Sequence, residues 1–220
     1  MNNKQGFTLT EVLLAVMIVA IIGVALSSLT TAASRESALG SSRTMLRNKV
    51  SLALRQLRQD IHNASAVLRV GGKLSLSDTT AVPVLILVKN AELGGGQILS
   101  SRSIEYVTYC FKRGTTGAVP SGSYSGGSLY RKVTNAAPSS GSECSSLGSM
   151  ILPYVKYIPT SGEYNSPLFY ALDHSTGSYT QNNNLSGILK VNMVLEIPGS
   201  KPLVNDAVEE IFLLPNGGYR

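Results

Sequence analysis

Few residues of this chain have the types and spacing that catalysis requires. The sequence has two histidines, of which His62 lies near Asp60 and His174 follows Asp173. A nearby carboxylate does not define an acid–base pair, so we expect both imidazoles to be solvated. The sequence therefore predicts no catalytic residue.

Metal and nucleotide sites are not indicated either. The acidic residues nearest to a calcium pattern have a spacing that fits no calcium-binding loop. The glycines of residues 94–96 lack the Lys-Ser/Thr ending of a phosphate loop, and two cysteines with two distant histidines match no common zinc site. We expect no metal and no cofactor. The acidic residues concerned are Asp173, Asp206, Glu209 and Glu210.

The N-terminus carries an unusual charge pattern. Residues 1–6 are polar, and Glu11 is the only charged residue from Phe7 through Ala33. An apolar run of that length can span the ~30 Å core of a bilayer, which takes about 20 residues. A secretory signal cleaved near Ala32 or Ala33 is one interpretation. It leaves Glu11 unexplained, because an uncompensated carboxylate at a bilayer edge is costly.

Gly6, Phe7 and Glu11 resemble the class III signal of type IV pilins and pseudopilins at each position. That signal is a short basic leader ending in Gly, then Phe, then a glutamate five residues into the mature chain. The resemblance implies that a prepilin peptidase cleaves between Gly6 and Phe7 and methylates the new amine of Phe7. It also implies that the leader with Lys4 stays cytoplasmic, in agreement with the positive-inside rule.

The resemblance also implies a role for Glu11. In a filament the apolar helices bundle where little water reaches them, so a lone carboxylate is unfavourable there. The ammonium of a neighbouring subunit's Phe7 would neutralise Glu11. The Glu11–Phe7 pair would then set the docking register between subunits.

A long helix is predicted to follow. No proline interrupts residues 7–66, and beyond the membrane part apolar residues recur at steps of three or four, which is typical of an amphipathic helix. We predict a transmembrane helix over 7–33 and its amphipathic continuation over 34–69, ended by Gly71 and Gly72. The recurring apolar residues are Leu46, Val50, Leu54, Leu57, Ile61 and Ala64.

The net charge of +6 belongs to this helical segment. Residues 35–69 carry a net charge of +5, whereas the chain from residue 70 to the end carries +1. The basic side of the helix is predicted to face solvent, lipid headgroups or other subunits. The nearly neutral remainder has no charge signature of a nucleic-acid surface.

Residues 70–220 are predicted to form a β-rich head, which gives an α+β fold. Short runs rich in aromatic and β-branched residues indicate strands. Residues 104–111 and 128–133 are predicted to form a hairpin across a Gly/Ser-rich connection, and residues 176–184 a loop. Further strands are predicted over 84–88, 150–158, 168–172 and 187–197.

The head contains both cysteines of the chain, Cys110 and Cys144. An even pair in an exported domain predicts one disulfide. Two buried free thiols are the alternative.

The order of elements is similar to that of J-type minor pseudopilins of type II secretion and W-type minor pilins. The resemblance rests on the glycine-rich turn before Leu129-Tyr130-Arg131, the helical stretch 54–61, and the segments 168–173 and 188–195. Many major subunits have a proline about two-thirds through the membrane helix, whereas residues 24–29 contain none. The chain is also long for a major subunit, and both features favour a minor one.

The sequence thus predicts a minor pilin or pseudopilin, a structural filament subunit and not an enzyme. The resemblance implies as partners other pilin or pseudopilin subunits, the prepilin peptidase, the inner-membrane assembly platform and the membrane. It implies a single-pass inner-membrane protein with a cytoplasmic N-terminus and a periplasmic or extracellular head. The alternative is a membrane-anchored binding or enzymatic domain with no filament role.

Overall fold

The computed structural model describes residues 8–71, 80–94, 97–99, 103–114, 126–156, 168–172, 179–180, 186–197 and 204–218. The predicted cleavage residues Gly6 and Phe7 lie outside these ranges, as does His174. The chain divides into two compact units, Met1–Met45 and Leu46–Arg220, called here the N-terminal unit and the C-terminal unit.

One long helix, α1, runs from Leu9 to His62. In the N-terminal unit its large apolar side chains are exposed, from Leu9 through Leu29. In the C-terminal unit one stripe of the helix is buried, as the amphipathic pattern predicts. The sequence predicted that Leu54 belongs to this stripe. In the structure Leu54 is only half-buried, and the neighbouring Ala53 is buried instead. The buried helical residues are Leu46, Val50, Ala53, Leu57, Asp60 and Ile61.

The predicted helix end was wrong. The sequence predicted a helix to residue 69, but α1 ends at His62 and strand β1 covers Ala64–Val70. The helical spacing continues through this segment, yet its backbone groups pair with the next strand, which buries Ala66 and Val67. Gly71 follows a strand and not a helix.

Gly71 has a φ of 73°, which favours glycine. Its amide N–H donates to the carbonyl of Val84 over 2.7 Å, which extends the pairing of β1 by one residue.

Nine of the described strands form one antiparallel sheet, and two form a separate hairpin. The order β1-β2-β5-β6-β7-β10-β8-β9 is completed by β11, which pairs with β10. β3 (Glu92–Gly94) and β4 (Gln97–Leu99) form the hairpin. The other strands are β2 (Val82–Lys89), β5 (Glu105–Arg113), β6 (Gly126–Thr134), β7 (Ser149–Lys156), β8 (Phe169–Leu172), β9 (Tyr179–Thr180), β10 (Ser186–Ile197) and β11 (Val204–Gly218).

The predicted hairpin is confirmed. β5 and β6 pair from Tyr106↔Thr134 to Arg113↔Gly127. A Cβ atom at Gly127 would collide with the carbonyl oxygen of Lys112, so the close approach of these strands needs a glycine there. The strands predicted over 84–88, 150–158, 168–172 and 187–197 correspond to β2, β7, β8 and β10, with residues 157–158 outside the described ranges. The loop predicted over 176–184 was wrong at Tyr179–Thr180, which form β9.

Strand alternation gives the sheet two faces, which we call inner and outer. The inner face lies against α1. Tyr109 and Arg131 are on this face, and their side chains donate hydrogen bonds to Asp60 of the helix. The outer face of β2 and β5 is covered as well. Tyr106, Thr108 and Cys110 are buried there, so the centre of the sheet is buried on both sides.

Cys110 and Cys144 form a disulfide with their Cα atoms 5.9 Å apart, as the sequence predicted. The bond fastens residues 135–148 to β5. Glu143 attaches the same segment to β1, because its buried carboxylate accepts a hydrogen bond from Arg69 Nη1 over 2.9 Å. Within the segment, the carboxylate also accepts from the Gly141 amide over 2.9 Å.

We expect the double substitution Cys110→Ser/Cys144→Ser to lower the free energy of unfolding of the C-terminal unit by about 3–4 kcal/mol, because the bond closes a long loop in the unfolded chain. Urea unfolding followed by circular dichroism measures this difference. Maleimide labelling of the unreduced, denatured wild-type chain is the control and should label no thiol. Two labelled thiols would show that the bond does not form.

Candidate functional site

The start of α1 is built around Glu11. Thr8 is the N-cap, and its carbonyl oxygen accepts from the amides of Glu11 and Val12 over 3.1 and 3.3 Å. Glu11 Oε2 accepts in return from the Thr8 amide and the Thr8 hydroxyl, each over 2.9 Å. The bond from the Thr8 amide to the Glu11 carboxylate is the glutamate half of a capping box, while the Thr8 hydroxyl donates to the same carboxylate.

Sequence analysis missed this capping role, although Thr-x-x-Glu before an apolar run is its signal. The box satisfies a helix-terminal amide that would otherwise lack a partner. It does not neutralise the Glu11 carboxylate, because both donors belong to the uncharged Thr8. In an environment with little water, the Glu11 carboxylate would therefore still need a cation beside it.

A second carboxylate, Asp60, lies at the other end of α1 and is only 2% exposed. Oδ2 accepts from the Tyr109 hydroxyl over 2.6 Å and from Arg131 Nε over 2.5 Å. Oδ1 accepts from Lys89 Nζ over 2.5 Å and from Arg131 Nη2 over 2.9 Å. We call these four residues the Asp60 cluster. It ties the helix end to β2, β5 and β6.

The electrostatics of the Asp60 cluster favour ionised Asp60. Burial alone would raise the pKa of Asp60, but hydrogen bonds from Arg131, Lys89 and Tyr109 together hold this pKa below its usual value. Burial and the neighbouring carboxylate raise the pKa of Tyr109, so its phenol stays protonated and donates. The hydrogen bond to Asp60 raises the pKa of Arg131. The arrangement is a structural ion cluster, since Lys89, Tyr109 and Arg131 all donate to the one carboxylate.

Sequence analysis did not find the Asp60 cluster. Asp60 follows Leu57 by three residues and so lies on the apolar stripe of the helix, where a carboxylate needs a partner. That position was the available signal. The sequence could not identify Lys89, Tyr109 and Arg131 as the partners, because strand pairing brings them together.

Another ion pair joins α1 to the C-terminal strand. Arg58 Nη2 donates to Glu210 Oε1 of β11. Glu209, the neighbouring acid, pairs with Lys190 of β10. Both glutamates considered for calcium thus contact cations, and Asp173 and the side chain of Asp206 lie outside the described residues.

The histidines and acidic groups form no constellation in the part of the chain that the structure describes. His62 is exposed at the end of α1. Among the described side chains, no group of three or more His, Cys, Asp or Glu residues could hold a metal ion.

Together, the fold and the helix start define a class of protein. α1 is long and apolar enough at its N-terminal end to cross a membrane, and the chain continues into an antiparallel β domain. These features fit a single-pass membrane anchor that carries an α+β domain.

Comparison with known proteins adds the family of the N-terminus. Residues 1–27 match the family model described as the prokaryotic N-terminal methylation motif. No curated protein and no solved structure matched the chain. The N-terminus of the chain thus carries the class III signal that type IV pilins and pseudopilins share.

Proposed function

We propose that this chain is a minor subunit of a type IV pilus or of a type II secretion pseudopilus, and that it helps to initiate the filament. The observation that carries the proposal is the methylation motif at residues 1–27, which includes the start of an exposed apolar helix. A plain anchor would need the apolar helix but not Glu11.

The proposed docking charge is Glu11. The Thr8 bonds leave its negative charge in place, and cleavage after Gly6 would create a positive amine at Phe7 of each subunit. In a bundle of apolar helices, the carboxylate of one subunit and the amine of the next would neutralise each other. An incoming subunit would therefore be held at one register.

The minor role rests on the membrane helix, the chain length and the order of strands. The membrane helix lacks a proline over residues 24–29, and the chain has 220 residues. The order of strands around the β5–β6 hairpin supports the resemblance to J-type minor pseudopilins and W-type minor pilins. In this role the C-terminal unit contacts other pilin-like subunits and the assembly platform, and it works without catalysis.

Processing at Gly6 tests the proposal. Intact-mass analysis of the membrane-extracted chain should show loss of residues 1–6 and gain of one methyl group when prepilin peptidase is present. Gly6→Leu should retain the leader, because a bulky side chain replaces the residue that ends it. The matched control is Gly23→Ala, which should be processed normally since nothing lies within 4 Å of an added Cβ there.

The same measurement separates the proposal from its alternatives. A mature chain beginning near Ser34 would indicate a secretory signal, and a chain that keeps Met1–Gly6 in the presence of the peptidase would indicate a plain anchor. Either result would contradict the filament proposal.

A further inference from the structure

The outer face of β8, β10 and β11 differs from the covered centre of the sheet. Phe169 contacts Tyr109 from the inner face, with ring centroids 6.1 Å apart, and Glu210 reaches Arg58 on α1. Because side chains alternate along a strand, Tyr170 and Ile211 lie on the outer face. Among the described residues, the side chains of this region range from half-buried to exposed.

Cross-strand register assembles an apolar surface there. Tyr170 of β8 lies opposite Lys190 of β10, which lies opposite Ile211 of β11. In the next row Ile188 lies opposite Leu213. Ile211 is 55% exposed and Leu213 is 75% exposed. We call this surface the outer patch, comprising Tyr170, Ile188, Ile211 and Leu213 with the Lys190–Glu209 ion pair.

Exposed apolar side chains at adjacent cross-strand positions indicate an interaction surface more strongly than scattered ones do. Glu209 supplies the acidic group of the outer patch, with its side chain 62% exposed. Its Oε1 accepts from Lys190, and a carboxylate can accept further bonds through its other oxygen. The outer patch therefore suits a partner with an apolar side chain and a cation beside it.

The part of α1 that belongs to the C-terminal unit has an exposed apolar side chain with cations beside it. Leu52 is 66% exposed, on a surface of α1 that is turned away from the buried stripe. Lys49 and Arg55 lie three residues to either side, and residues three apart are neighbours on a helix surface. Arg55 is exposed and Lys49 half-exposed.

We propose that the outer patch of one copy docks the Leu52 surface of a second copy, with Leu52 against Ile211 and Leu213 and with Arg55 beside Glu209. The inference rests on the proposed filament role. The helix surface and the outer patch face opposite sides of a helix-on-sheet unit, so one copy cannot satisfy both. Such a heterologous contact leaves an unused surface at each end and can add further subunits.

Site-specific photo-crosslinking of the processed full-length chain in detergent tests this contact. With benzoylphenylalanine in place of Ile211, crosslinked dimers should carry the adduct on residues 48–59 of the second copy, as mapped by mass spectrometry. The matched control places the same group at Met150, which is 52% exposed on another strand. The control should give no adduct on that helical segment. A contact between membrane helices alone would produce dimers without this adduct.

A charge-reversal experiment tests whether Arg55 of the second copy lies beside Glu209. Glu209→Arg should lower the crosslink yield about five-fold through repulsion from Arg55, and Arg55→Glu on the second copy should restore it. Absence of the helix adduct, equal adducts from positions 211 and 150, or a Glu209→Arg loss that Arg55→Glu does not restore would overturn the inference. Because the chain used is already cleaved after Gly6, such a failure would leave the filament proposal standing.

Discussion

Glu11→Ala is expected to abolish or strongly reduce filament assembly while leaving cleavage after Gly6 and membrane insertion nearly intact. The apolar helix supplies insertion, and removing a charge eases it. Docking would lose the partner of the neighbouring Phe7 amine, and breaking a buried ion pair from one side typically costs about 3–5 kcal/mol. Complementation of a deletion strain measures this, with processing scored by mobility and function by piliation or secretion.

The capping box makes a second variant necessary. Glu11 accepts two hydrogen bonds from Thr8, so Glu11→Ala removes both a docking charge and a helix cap. Glu11→Gln keeps the cap, since glutamine also serves at this position of a capping box, but it removes the charge. If docking depends on charge, Glu11→Gln should fail as Glu11→Ala does. Normal assembly with Glu11→Gln would show that the cap is what matters.

Asp60→Ala is expected to have the largest effect of a single substitution on the stability of the C-terminal unit. It leaves Lys89 and Arg131 without their shared carboxylate, and removing one partner of a buried ion pair costs about 3–5 kcal/mol. Urea unfolding followed by circular dichroism gives the difference. Glu210→Ala is the control, because its partner Arg58 is 61% exposed and exposed pairs contribute at most about 1 kcal/mol. Equal losses from the two variants would contradict the buried role of Asp60.

The pH dependence of stability follows from the same cluster. The pKa of Asp60 is lower in the folded chain than its usual value, so at acid pH the unfolded chain binds more protons. The stabilisation is therefore complete above about pH 4 and is lost as pH falls through the folded pKa. Asp60→Asn should be less stable at neutral pH and should lose less stability on acidification.

The sequence by itself determined the features that local pattern controls. Gly6, Phe7 and Glu11 identify the signal by residue type and spacing, and the adjoining apolar run indicates the membrane helix without any tertiary contact. The β5–β6 hairpin was predictable because its strands are adjacent in the chain and rich in aromatic and β-branched residues. The Cys110–Cys144 disulfide followed from there being only two cysteines.

Only the tertiary structure determined the elements and contacts whose partners are distant in the sequence. Residues 64–70 have a helical spacing but form β1, since pairing with β2 satisfies their backbone groups. β11 was not predicted; its adjacent glutamates and Pro215 obscure a strand pattern, and proline is tolerated because β11 is an edge strand. The Asp60 cluster arises only when three strands meet one helix end. Local preferences span a few residues, whereas these contacts join segments separated by up to 152 positions, so only the folded chain brings their partners together.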